Sequence, residues 1–177
     1  GDHWDLHSFP TRRSSDLKEF LYDKIGDDDC IFIRPDQGDK IFTGGVVAKE
    51  NWDKEYEIMG IYDVPPQEIC LISSPCNIDR EWRLVIVNNK PIAWSQYKPE
   101  VVRDTPKEVI EYANKIIKDV GPYKSLPVFI MDICEVKGYL KLLEIGCFSV
   151  AGLYNCDAKE VVKNINIAAI KEWKDYQ

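Results

Sequence analysis

The sequence predicts an α+β fold of antiparallel hairpins and separate amphipathic helices. Two observations carry that reading. Strand-like runs lie in adjacent pairs, Arg80–Val87 with Pro91–Tyr97 and Val128–Cys134 with Tyr139–Ile145, each joined by a short turn. Helical stripes interrupt these pairs without the regular strand–helix–strand alternation of a doubly wound parallel sheet. A hydrophobic content of 45% over 177 residues supports a packed core, in one sizeable domain or two small lobes.

The elements follow in chain order. Lys18–Ile25 fits a short helix, with Phe20, Leu21 and Ile25 on one stripe and Gly26 as terminator. Cys30–Arg34 reads as a buried strand ended by Pro35, and Asp36–Gly45 as a loop. Trp52–Tyr62 has no decisive period, and Pro65-Pro66 breaks whatever it forms. Glu68–Ser74 is the first of three strand-like runs. Asn88-Asn89 joins the next two, because asparagine tolerates the positive φ of a tight hairpin turn. Thr105-Pro106-Lys107-Glu108 is a capping box with proline at the first helical position. It opens a helix carrying Val109, Ala113, Ile116, Ile117 and Val120, stopped by Gly121-Pro122. Asp157, with Glu160 three residues on, caps a final helix containing Val161, Val162, Ile165, Ala169 and Trp173.

The opening "GDHWDLHSFPTRRSSDL" has no helical or strand period. It resembles the conceptual translation of a sequencing adapter, from which arginine is expected where Trp4 stands. On that reading Gly1–Leu17 is a non-native leader and part of the fold upstream is missing; the alternative is a genuine flexible tail. The expected domains are then residues 18–75, an N-terminal lobe with a glycine loop, and residues 76–177, a C-terminal lobe. Both histidines, His3 and His7, fall in the leader, so the other 160 residues contain none. That removes histidine as general base or metal ligand.

The formal charge of −7 (23 basic against 30 acidic residues) argues against nucleic acid or an anionic membrane as partner. A local basic cleft for a small anion stays open. No run is long enough to span a membrane as a helix. The six cysteines, Cys30, Cys70, Cys76, Cys134, Cys147 and Cys156, form no CxxC pair. Several sit in apolar runs and read as reduced, buried thiols, which points to the cytoplasm.

Three constellations carry chemistry. In "VFIMDICEVKGYLKLLEIG" a turn at Lys137–Tyr139 places Asp132 opposite Glu144, on a face with Ile130, Cys134, Leu142 and Gly146. The other face, with Phe129, Met131, Ile133, Leu143 and Ile145, is core. Facing like charges destabilise a strand pair unless a cation joins them, and magnesium favours one or two carboxylates plus phosphate oxygens. The plain alternative is a solvated acidic face, or a turn one residue shorter that breaks the register. In "REWRLVIV", Trp82, Leu84 and Ile86 form a core face and leave Arg83 on the other, where an ordinary pair with Glu81 also explains it. In "IFIRPDQGDKIFTGGVV", Gly38, Gly44 and Gly45 permit close backbone approach to a phosphate, flanked by Arg34 and Lys40. An ordinary hairpin loop explains this stretch as well.

In combination, "FIRPDQGDKIFTGG", "EICLISSPCNIDREWRLVIV", "VFIMDI" and "LLEIGCFSVAGLY" resemble, in order, the ATP-grasp superfamily and its R-two-K clade of bacterial and phage proteins. The resemblance covers Cys30–Asp157. It implies two α+β lobes with ATP between them and a carboxylate–amine ligase working through an acyl phosphate, on peptide or small-molecule substrates. It further implies Arg34 and Lys40 on the phosphates and the backbone around Leu71, Ile72, Ser73 and Ser74 as the adenine hinge. Arg83 would meet the transferred phosphate, and Asp132 and Glu144 would hold magnesium. One departure stands out: the family's metal motif is Glu-x-Asn, and here Gly146 takes the asparagine position. A weakened module that binds nucleotide or a protein partner is the alternative this departure raises. "SVAGLY" resembles the substrate-side loop.

Overall fold

Alternating apolar residues build two sheets, and the chain divides accordingly into two units, Gly1–Cys76 and Asn77–Gln177. The structure, a computed structural model, describes residues 11–13, 30–36, 41–58, 64–65, 67–119 and 126–177. The expected helix at Lys18–Ile25, both histidines, Gly38 and Lys40 lie outside those residues.

In the first unit the strands are β1 (Thr11–Arg13), β2 (Cys30–Pro35), β3 (Gly45–Ala48) and β4 (Ile69–Ser73). They pair antiparallel in the order β1-β4-β2-β3. The period of two in β2 sends Ile31 and Ile33 into a core with Phe42, Val47 and Ile72, and leaves Arg34 exposed. Trp52, at the start of helix α1 (Trp52–Ile58), seals that core. A Cβ at Gly44 would lie 2.8 Å from the Cβ of Arg34, so only glycine lets the loop return this closely onto β2. β1 falls within the segment that shows no strand period. Three residues are too few to show one, and the open edge of β4 pairs with their backbone through Thr11↔Leu71 to Arg13↔Ile69.

The second unit holds β5 (Arg80–Val87), β6 (Lys90–Lys98), β7 (Val128–Val136) and β8 (Tyr139–Gly146), all antiparallel in the order β6-β5-β7-β8. Helix α2 (Lys107–Asp119) covers one face, packing Val109, Ala113 and Ile117 on Trp82, Leu84 and Ile86. Helix α3 (Ala158–Asp175) covers part of the other, where Val161 and Ala168 meet Val85, Val87 and Ala93. No helix among the described residues is long and apolar enough to cross a membrane.

Local signals worked where the chemistry is local. Asn88 and Asn89 have φ of 49° and 61° in the β5–β6 turn. The Asp157 side chain accepts hydrogen bonds from the N–H groups of Lys159 and Glu160 at 3.0 and 3.2 Å, as an N-cap should. One expectation needs correction. The Thr105 hydroxyl is buried without a hydrogen-bond partner among the described residues, so the capping box does not form there. On α3 the core stripe runs through Val161, Ile165 and Ala168, while Val162 and Trp173 are exposed, because both lie about a quarter-turn or more around the helix from that stripe.

Candidate functional site

The second hairpin reaches its pairing by an unexpected route. Its turn is the shorter one, Lys137-Gly138, with φ of 52° and 79°. Val136 opposes Tyr139 and Ile133 opposes Leu142. In that register Leu143 would face Asp132. A β-bulge between Asp132 and Ile133 inserts one residue, so Asp132 opposes Glu144 after all. Before the bulge, the shorter turn exchanges the faces: Leu142 opposes Ile133 and packs with the α2-side core, and Leu143 is exposed, the reverse of the sequence expectation.

Asp132 has a second neighbour. It also opposes Arg83 on β5, and Arg83 opposes Ser95 on β6. Ser95, Arg83, Asp132 and Glu144 therefore form one row across all four strands. Arg83 Nε donates to Asp132 Oδ1 at 2.9 Å and Nη2 donates to Oδ2 at 2.7 Å, a two-pronged ion pair. The pair is well covered, with side-chain exposures of 15% for Arg83 and 5% for Asp132. Hydrogen bonding to Asp132 holds the guanidinium firmly charged, against the opposing effect of burial. Glu81 does not take Arg83; Lys98 Nζ occupies it at 2.8 Å.

Aromatic rings and a loop complete the surroundings. The Tyr97 hydroxyl donates to Asp132 Oδ2 at 3.3 Å. Burial, then the neighbouring Glu81 carboxylate, raises the Tyr97 pKa far above the usual phenol value. Tyr97 and Tyr154 stack with centroids 4.6 Å apart and planes 6° from parallel. The Arg83 guanidinium carbon lies 5.6 Å from one ring centre and 5.0 Å from the other. The loop after β8 is tied down at several points. Arg83 Nη1 donates to the Gly152 carbonyl at 3.0 Å, and the Asn155 N–H donates to Ser95 Oγ at 3.3 Å. Arg103 Nε donates to the Asn155 carbonyl at 3.2 Å. Among the described residues the buried polar or charged ones are Glu81, Ser95 and Asp132, and all three belong to this cluster. Burying polar groups together is costly unless they are mutually satisfied, so the cluster marks a built site rather than a solvated face.

Glu144 is exposed, and a Cβ at Gly146 would lie 3.8 Å from its Oε1. In the first unit, Arg34 is exposed with its Nη1 donating to the Pro35 carbonyl at 3.2 Å. Leu71 is paired on both sides, by β1 and β2, whereas Ile72 and Ser73 pair only with β2. The family resemblance brought together Arg83, Asp132 and Glu144 as parts of one site, but the direct contact of Arg83 with Asp132 was missed, as were Tyr97, Tyr154 and Ser95. Lys40 lies outside the described residues.

A family model described as ATP-grasp domain, R-two-K clade family 3, matches residues 2–165. Among solved structures, D-alanine–D-alanine ligase from Bacillus anthracis superposes with a TM-score of 0.59 at 13% identity, over 95% of this chain and 63% of that one. A RimK-domain ATP-grasp protein from Sphaerobacter thermophilus gives 0.55 at 14% identity, over 81% and 53%. The ATP-grasp ligase PsnB, in a complex with a variant of a minimal precursor, Mg and ADP, gives 0.53 at 14% identity, over 90% and 51%. The chain thus spans a little over half the length of these structures, and at such identities the likeness shows the fold. No curated protein sequence matches. With its family model covering most of the chain and its α+β fold of antiparallel sheets shared with these structures, the chain belongs to the R-two-K clade of the ATP-grasp family.

Proposed function

We propose that this chain is the nucleotide-binding and catalytic part of an ATP-dependent carboxylate–amine ligase. The observation that carries the reading is the row Arg83–Asp132–Glu144, which sets a fixed cation beside two carboxylates on one sheet face. Such a row suits phosphoryl transfer, where positioning and charge neutralisation do most of the work and no histidine is needed. The terminal phosphoryl group of ATP passes to a carboxylate oxygen, giving an acyl phosphate and ADP. The nitrogen of an amine then attacks the acyl carbon, phosphate leaves, and the nitrogen loses a proton.

In this reading Arg83 meets the transferred phosphate, Arg34 and Lys40 are phosphate-contacting cations, and the backbone of Leu71–Ser74 is an adenine-binding segment. The donor set fits magnesium held together with polyphosphate. No group of three or more His, Cys, Asp or Glu side chains converges among the described residues, and magnesium needs only one or two carboxylates when phosphate and water complete its shell. Asp132 and Glu144 would hold it; once bound it neutralises phosphate charge. Asp132 already shares its charge with Arg83, so most of the protein's net negative charge toward the metal rests on Glu144. The structures of PsnB with Mg and ADP and of Bacillus anthracis D-alanine–D-alanine ligase support ligase chemistry and peptide or small-molecule substrates. A cytoplasmic setting suits six cysteines that form no disulfide.

Gly146 favours a second reading, a catalytically weakened nucleotide-binding or protein-interaction module of the same fold. A side chain at 146 would stand beside Glu144, and glycine leaves that place without an oxygen donor. Phosphate release separates the two. With magnesium, ATP and a panel of amino acids and short peptides, the ligase reading expects release that depends on both an acid and an amine. Nucleotide binding without release under any pairing would select the weakened module.

A further inference from the structure

We propose that Tyr97 and Tyr154 are positioning residues whose stacked pair backs the Arg83 guanidinium from one side, completing a clamp with Asp132, and so sets a preference for nucleoside triphosphate over diphosphate. The inference rests on the nucleotide reading above and adds to it the residues that aim Arg83. Both tyrosines occupy irregular backbone. On β6, Gln96 opposes Trp82 and Lys98 opposes Glu81, which makes Tyr97 the extra residue of a β-bulge. Bulges re-aim a side chain at the expense of regular pairing. Tyr154 has φ of 49° as the first central residue of a turn closed by Cys156 N–H to Leu153 carbonyl at 3.0 Å. Glycine ordinarily fills such a position, and a bulky residue there is strained. Two departures from regular backbone therefore converge on one stacked pair of rings.

What the pair accomplishes follows from the guanidinium. It has five N–H groups. Among the described residues Asp132 takes two and the Gly152 carbonyl takes one, so two remain, one on each terminal nitrogen. With Asp132 fixing one edge and the stacked rings backing the group on one side, those two donors keep a single direction. They suit the oxygens of the third (γ) phosphate, which a diphosphate lacks.

The test compares dissociation constants of the magnesium complexes of a non-hydrolysable ATP analogue and of ADP, by calorimetry on the whole chain. Tyr154→Asn is the key variant, since asparagine accepts positive φ and removes only the ring. It is expected to lower the preference for the analogue over ADP by about tenfold, in the range of a cation–π contact. Tyr154→Phe keeps the ring and should stay within about twofold of the unaltered chain. Should Tyr154→Asn not fold, Tyr97→Leu reads the same ratio from the other ring. An unchanged ratio, equal weakening of both nucleotides, or a phenylalanine variant as impaired as the asparagine one overturns the clamp. An unaltered chain that binds both nucleotides equally overturns it as well. If that chain binds neither, the nucleotide reading itself fails and the clamp falls with it.

Discussion

Asp132→Asn isolates the ion pair at the centre of the site. Asparagine keeps the shape and one acceptor oxygen but removes the charge, so the two-pronged contact with Arg83 drops to a single neutral bond. Losing one partner of a buried pair typically costs about 3–5 kcal/mol, because the other charge stays buried alone. Arg83 retains the Gly152 carbonyl and the neighbouring stacked tyrosine pair, and 15% of its side chain meets solvent. The expected loss therefore falls to about 2–3 kcal/mol. With a urea slope of about 1–3 kcal/mol per molar, that shifts the unfolding midpoint by about 0.7–3 M. Tryptophan emission serves as the probe, since Trp82 is fully buried on β5 within the same unit. Arg83→Met and the double variant complete a cycle whose coupling should exceed about 1 kcal/mol. A shift below about 0.3 M, or a coupling near zero, would show that solvent screens the pair and that it organises nothing.

Three further outcomes follow. Gly146→Asn meets only Glu144 Oε1, at an ordinary 3.8 Å, so it should fold normally and bind magnesium–nucleotide several-fold more tightly (on the order of one added ligand); unchanged affinity in calorimetry would refute the donor assignment. In an Ellman assay at pH 8, exposed Cys76 and Cys147 should react rapidly, while buried Cys70, Cys134 and Cys156 should react only on unfolding; rapid reaction of the buried three would contradict the packing. Burial raises the Cys70 and Cys156 thiols from 9.0 to about 11. The folded state thus retains protons that the unfolded chain releases, so stability is intact below about pH 9 and falls as pH rises toward about 11. Cys156→Ala should flatten that decline in urea titrations, and an unaltered slope would count against it.

How much of this was legible beforehand depended on whether a signal was local. Asn88-Asn89 and the Asp157 cap are decided by a few adjacent residues, and both stand where the sequence places them. The pairing of Asp132 with Glu144 came out as expected, although by a shorter turn and a compensating bulge. The contact of Arg83 with Asp132 was not legible, because it depends on which strands neighbour β5, and strand order is set by the whole sheet. Tyr97 was hidden by register. Counting from the two-residue turn puts Trp94 opposite Arg83, but a bulge between Val85 and Ile86 moves Ser95 there, and a second extrudes Tyr97. Pro91, without an N–H to give the ladder, was the one available hint of that irregularity. On α3 the apolar Val162 and Trp173 are exposed while Val161 and Ala168 are buried. Apolar identity alone does not fix a helix face.

Under the proposed function, the acidic and basic row on the second sheet receives a magnesium–nucleotide complex, with Glu144 as its exposed anionic ligand. Calorimetric titration of a magnesium-bound, non-hydrolysable ATP analogue into the unaltered chain and into Glu144→Gln tests it directly. The substitution touches an exposed residue, so melting should stay unchanged while affinity falls by about tenfold or more. Equal affinity in the two chains, or no binding in the unaltered one, would contradict the account.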